Sequence, residues 1–290
     1  MEADRRPVVA GVDGSPTSLA AADRGARIAY ERGVPLVLIH GFLHPFGFGT
    51  ATLDPYAMMP PEPSLQAEEM LAQVAREARE QYPGLSVSHQ QVFGGAAPTL
   101  VEASKESSLV VVGCRGHGGF ADLLLGSVSA QVVSHAYCPV LVVRPVTPAP
   151  LPDDAPVVVG VDGSETAGRA LVVAGDEAAR QRRPLHVIVA DVPDDTRARQ
   201  QADALLSEAI ATVHAAHPQV AVVPRAGYDR RAGEALLAAS HDAAMLVVGS
   251  RGRGGFTGLL LGSVSQLMVH HAACSVLVVP PADRSAEPAS

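Results

Sequence analysis

The chain has 290 residues and a formal net charge of -8, with 47% hydrophobic and 18% charged residues. This balance excludes the basic field that a nucleic-acid partner needs, and no apolar run reaches the ~20 residues that span a bilayer. Three cysteines are too few for a disulfide framework, and residues 1–6 lack the apolar core of a signal peptide, so a reduced, cytoplasmic setting is expected.

Residues 8–12, Val-Val-Ala-Gly-Val, form a continuous apolar run without the alternation of a half-exposed strand. Such a run predicts a strand covered on both faces. Ser15-Pro16 then supplies an N-cap and a proline for the first helical position, and Leu19, Ala22, Ala26 and Ala29 recur at helical spacing up to Gly33, a C-cap residue. A strand at 36–39 leads into residues 40–64, rich in Gly, Pro and aromatics, which read as a long surface loop. A helix over about 64–80, a strand at 87–92, a helix opening near Pro98, a strand at 109–112, a helix opening near Ser127 and a strand at 140–143 complete the unit. Five strands alternating with four helices predict a doubly wound parallel sheet between two helical layers.

Residues 145–156 contain five prolines and suit an extended linker. The whole order then repeats. Val8-Val-Ala-Gly-Val-Asp-Gly-Ser15 returns as Val157-Val-Val-Gly-Val-Asp-Gly-Ser164, and Cys138-Pro-Val-Leu-Val-Val143 as Cys274-Ser-Val-Leu-Val-Val279. The predicted domains are 1–147 and 156–290, joined by 148–155. The arginines at 180, 182, 183, 230 and 231 read as solvated faces. Cys138 and Cys274, at equivalent positions before apolar strands, read as buried thiols.

The motif that carries chemistry is also doubled. Gly113, Gly116, Gly126 and Ser127 spell G-x-x-G-x9-G-S, and Gly249, Gly252, Gly262 and Ser263 spell it again. Glycines let a backbone approach a phosphate and present N–H groups to it, and a helix start adds the positive end of a dipole. Ser127 and Ser263 fit equally as donors to phosphate and as plain caps. Asp13 and Asp162, ending the first strand of each copy, suit a ribose hydroxyl, a water-mediated divalent cation, or the capping of a turn. Arg115 and Arg251 either screen phosphate or face solvent. Asp191 contacts a base or sugar, or caps its loop. No lysine precedes Ser127 or Ser263, so a Walker A loop is excluded. No nucleophile and base are shared by the copies, so the constellation binds phosphate without evident means to break it.

These residues resemble tandem universal stress proteins of the ATP-binding type, as found in actinobacteria. The resemblance rests on Gly-Val-Asp-Gly-Ser with G-x-x-G-x9-G-S, and it covers nearly the whole chain twice. It implies a flavodoxin-like sheet of order 3-2-1-4-5 per copy, related to adenine nucleotide alpha hydrolases, with ATP held between strands 1 and 4. By similarity the phosphates lie on Gly113, Cys114, Arg115, Gly116, His117, Gly118, Gly119, Gly126, Ser127, Val128 and Ser129. In the second copy they lie on Gly249, Ser250, Arg251, Gly252, Arg253, Gly254, Gly255, Gly262, Ser263, Val264 and Ser265. Gly11, Asp13, Gly160 and Asp162 line the strand-1 side, and His40 and Asp191 mark where adenine is met. The resemblance also implies pairing of the copies through 140–143 and 276–279 as an internal pseudo-dimer, with dimers of chains beyond it. The expected function is a nucleotide-dependent stress or regulatory protein with an unknown regulatory partner. Alternatives are a slow ATPase using Mg2+ or Mn2+, and an interaction module without nucleotide. Cys114 against Ser250 and His117 against Arg253 mean that the two sites need not have equal affinity.

Overall fold

The computed structural model describes residues 5–42, 64–116, 125–144, 152–193, 195–228, 231–253 and 260–282. The first repeat comprises β1 (Val8–Gly11), α1 (Pro16–Arg32), β2 (Leu36–Phe42), α2 (Leu65–Gln81), β3 (Val87–Phe93), α3 (Ala96–Ala103), β4 (Leu109–Gly113), α4 (Ser127–His135) and β5 (Val140–Val143). The second comprises β6 (Val157–Gly160), α5 (Glu165–Gln181), β7 (Leu185–Val192), α6 (Thr196–Ala216), β8 (Val222–Tyr228), α7 (Ala232–Ser240), β9 (Met245–Gly249), α8 (Ser263–His271) and β10 (Val276–Val279).

All ten strands form one sheet, ordered β3-β2-β1-β4-β5-β10-β9-β6-β7-β8. Pairing is parallel within each repeat, in the order 3-2-1-4-5, and antiparallel where β5 meets β10, with Leu141 opposite Leu277. The apolar runs are buried on both faces of this sheet. Val8 and Ala10 enter one core cluster and Val9 the other, as the two-residue period of a strand requires. Each cluster also contains residues of the second repeat, so both cores continue across the seam.

Local signals set the element ends. The Ser15 side chain accepts from Ser18 N–H, Pro16 starts α1, and Gly33 closes it at φ +65°. Helix α3 begins at Ala96, two residues ahead of Pro98, because proline is tolerated in a first turn whose N–H groups lack partners anyway. Strand β2 runs on through His40 to Phe42, longer than its apolar core predicts. Most of the long loop after it, residues 43–63, lies outside the described residues, as do linker positions 145–151. Among the described residues, no helix is long and apolar enough to cross a membrane.

The solvated-face reading of the arginines near residue 180 is corrected by two contacts. Arg180 Nη2 lies 3.2 Å from the buried Glu177 carboxylate, and Arg183 Nη1 donates to the carbonyls of Pro152, Asp153 and Ala155. Arg183 thereby fastens the second repeat to its own leading segment, while Arg180 neutralises a buried carboxylate of its own helix.

Candidate functional site

In doubly wound sheets, ligands sit beyond the carboxyl ends of strands where the winding reverses, here beside β1 and β4 and beside β6 and β9. Each crevice is built by tying a glycine loop to the start of a helix. Gly14 and Gly163 turn the chain after strands β1 and β6 at φ +84° and +77°, where a side chain would be strained. The turn brings Asp13 and Asp162 against the loops that follow β4 and β9. A Cβ added at Gly116 would stand 2.5 Å from Asp13 Oδ2, and one added at Gly252 would stand 2.5 Å from Asp162 Oδ2. A side chain there would push the carboxylate out of its place against the loop.

The contacts are specific. Asp162 Oδ1 accepts from Ser164 N–H at 2.9 Å and from Ser164 Oγ at 2.6 Å, while Oδ2 accepts from Arg253 N–H at 2.9 Å. Asp13 Oδ1 accepts from Ser15 N–H at 2.9 Å. Thr17 and Thr166 hydroxyls donate to the carbonyls of Arg115 and Arg251, bolting each loop to the first helical turn. The repeat pattern had carried this signal, since Thr17 and Thr166 keep the offset of Asp13 and Asp162.

In the second repeat the crevice encloses a cavity of about 650 Å³, within the range of small-molecule sites. One end is lined by Gly160, Asp162, Gly249, Arg251, Gly252, Arg253 and Gly262, and by Ser263, Val264 and Ser265 at the start of α8. Gly262 is the N-cap without a side-chain cap bond, so N–H groups of the first turn remain available to a ligand. The first repeat repeats this arrangement, with Gly126 as N-cap and Ser127, Val128 and Ser129 in the first turn of α4. Ser129 and Ser265 are buried, and their hydroxyls donate at 2.6 Å to the carbonyls of Gly113 and Gly249. Their side chains brace the loop.

The other end of the cavity is apolar, lined by Ile188, Val189, Ala190 and Val192 of β7, by Ala198, Ala202 and Leu205 of α6, and by Leu236 of α7. Gln201 adds a polar group. The α6 and α7 residues had no motif to announce them. Asp191 also lines this end, at φ +63° and within a register break between Ala190 and Val192. The bulge lets β7 re-aim one side chain at its end. The first repeat differs here: β2 pairs regularly through Phe42 opposite Phe93, and His40 Nδ1–H donates to the Val12 carbonyl at 2.7 Å.

Cys114 and Ser250 turn away from the crevices. Cys114 is 3% exposed and Ser250 fully buried; their N–H groups bond Val143 and Val279, and their carbonyls accept from Gly126 and Gly262. Burial raises the Cys114 thiol above its ordinary value, against the opposing pull of Arg144 and Arg115. His117, Gly118, Gly119, Gly254 and Gly255 lie outside the described residues.

The fold and crevices define a doubly wound α/β protein with a glycine loop and a helix start facing each switch point. The chain belongs to the Universal stress protein family, whose sequence profile matches residues 4–144 and 155–280. A universal stress protein of Mycobacterium tuberculosis is 38% identical over 287 residues, covering 93% of this chain and 96% of its own. A second from that organism is 34% identical over 295 residues, covering 93% and 95%. The crystal structure of a universal stress protein from Archaeoglobus fulgidus superposes with a TM-score of 0.73 at 24% identity, covering 97% of this chain and 98% of that one. The tandem arrangement and the fold expected from the sequence are therefore established.

Proposed function

We propose that each crevice binds an adenine nucleotide, ATP foremost, and that its occupancy reports cellular state to a regulatory protein partner. The observation that supports this most is the two-ended cavity of the second repeat. Its glycine loop and α8 start offer N–H groups and two guanidinium groups to phosphates, while its apolar end suits a flat base. A divalent cation, Mg2+ or Mn2+, would accompany the polyphosphate, and Asp13 and Asp162, whose carboxylates abut the loops, are the groups that would hold it through water. A dimer of chains in a cytoplasmic setting belongs to the same proposal.

Calorimetric titration with ATP tests it, beside mass spectrometry of nucleotide that copurifies. Saturable binding is expected, with Gly252→Ala and Gly116→Ala each weakening its own site about tenfold, roughly 1.4 kcal/mol. No saturable binding at millimolar ATP overturns the proposal.

A further inference from the structure

The strands that join the repeats carry the same residues. β5 is Val140-Leu141-Val142-Val143 and β10 is Val276-Leu277-Val278-Val279. A strand edge offers backbone N–H and C=O groups, so these two edges cannot tell one another apart. β5 against β5, or β10 against β10 of another chain, would form the same ladder. Discrimination has to come from the side chains that flank the seam, and those are unlike.

On the side of α1 and α5, Arg32 Nη2 donates to Glu177 Oε1 at 2.9 Å across the seam, Arg180 Nη2 lies 3.2 Å from the same oxygen, and Gln181 Nε2 donates to Oε2 at 3.0 Å. Glu177 is 2% exposed. Burial pushes its carboxyl upward, but Arg180 and Arg32 outweigh that push and hold it below its ordinary value, so the group is buried as an anion. The repeat offset of 149 residues makes Ile28 the counterpart of Glu177 and Gln181 the counterpart of Arg32. The mirrored pair has no charge.

On the opposite side, Arg144 follows β5 directly. Its N–H donates to Ser275 Oγ at 3.3 Å, and its Nη2 donates at 2.6 Å to the Val269 carbonyl in the last turn of α8. The late-segment offset of 136 residues makes Pro280 the counterpart of Arg144 and Pro139 the counterpart of Ser275. A proline has neither the N–H nor the hydroxyl that this contact uses.

We propose that the Arg32–Glu177–Arg180 cluster and the Arg144 contact form a pairing code, by which repeat 1 accepts repeat 2 and rejects a second repeat 1. Two copies of repeat 1 would bring each Arg32 toward Ile28, with Glu31 at the place of Arg180 and already held by Arg27 at 2.7 Å, so Arg32 would lose the buried carboxylate it has in the native pairing. Two copies of repeat 2 would set Gln181 of the other copy in the place of Arg32, leaving each buried Glu177 anion with Arg180 alone. Removing one partner from a buried ion pair is far costlier than replacing both by apolar groups, so the code acts chiefly by penalising the wrong pairing.

The full chain, carrying a protease site engineered between residues 145 and 151, is cut after folding and remixed with isotope-labelled cut protein. Native mass spectrometry then counts like and unlike pairs. Unlike pairs of wild-type halves are expected to exceed like pairs at least about tenfold, whereas Arg32→Gln with Glu177→Ile, which makes the two halves match at these positions, relaxes the preference toward random association. Random association of wild-type halves overturns the proposal. A second measurement uses the uncut chain: Arg32→Gln and Glu177→Ile each lower the melting temperature, and the double variant loses less than their sum. Strictly additive losses overturn it as well.

Discussion

Asp162 Oδ2 accepts the backbone N–H of Arg253 at 2.9 Å, tying the turn after β6 to the glycine loop after β9. The same carboxylate holds Ser164 through its N–H and hydroxyl. Asp162→Ala strips the acceptor from all three donors. A stability loss of about 1–3 kcal/mol is expected, with weaker nucleotide binding at the second crevice. Thermal melts paired with calorimetry check it; unchanged affinity in a folded variant contradicts the latch as part of the site.

Asp191 holds a left-handed backbone at φ +63° that glycine adopts without strain. Asp191→Gly should therefore raise stability by about 1 kcal/mol while weakening nucleotide binding, because the carboxylate lines the cavity. Opposite signs in the two measurements are the expected signature. A variant both less stable and fully competent for binding refutes the reading.

Glu177 sets an acid limit on the seam. Its folded value lies below the ordinary 4.5, so its contribution is complete above about that pH and is lost as pH falls through the folded value. Glu177→Gln should cost about 3 kcal/mol at neutral pH, since it leaves Arg32 and Arg180 without an anion. Melts between pH 7 and pH 3 should show the gap between wild type and variant closing below about 4.5. A gap that stays constant to pH 3 rules this out.

Burial pushes the thiols of Cys138 and Cys274 up to about 12, and Cys114 is raised by the same cause. Iodoacetamide should leave all three unmodified in the native protein at pH 8 and label all three in denaturant, since the thiolate is the reacting form. Mass spectrometry counts the adducts, and rapid native labelling of Cys138 or Cys274 contradicts the burial.

The elements were legible wherever a local rule governs them. Val8 to Val12 reads as a doubly covered strand because both faces must be apolar, and Ser15-Pro16 and Gly33 mark the ends of α1 because caps are local chemistry. The crevice was legible as far as its glycines and aspartates, which the repeat prints twice. The loop-bracing role of Ser129 and Ser265 needs the third dimension, since the acceptor lies sixteen residues away on a strand end. The bulge at Asp191 left no trace in composition, because a register break depends on the partner strand. Arg180 was misread as solvated because its buried partner, Glu177, sits where the other repeat has Ile28, and an acidic residue gives no sequence hint that it is 2% exposed.

The antiparallel rungs between β5 and β10 point the strand ends of the two repeats in opposite directions. The crevices consequently open on opposite edges of the molecule, and no small ligand can touch both. The two repeats meet in the short β5–β10 ladder and are clamped across it by Arg32 of α1 and Glu177 of α5.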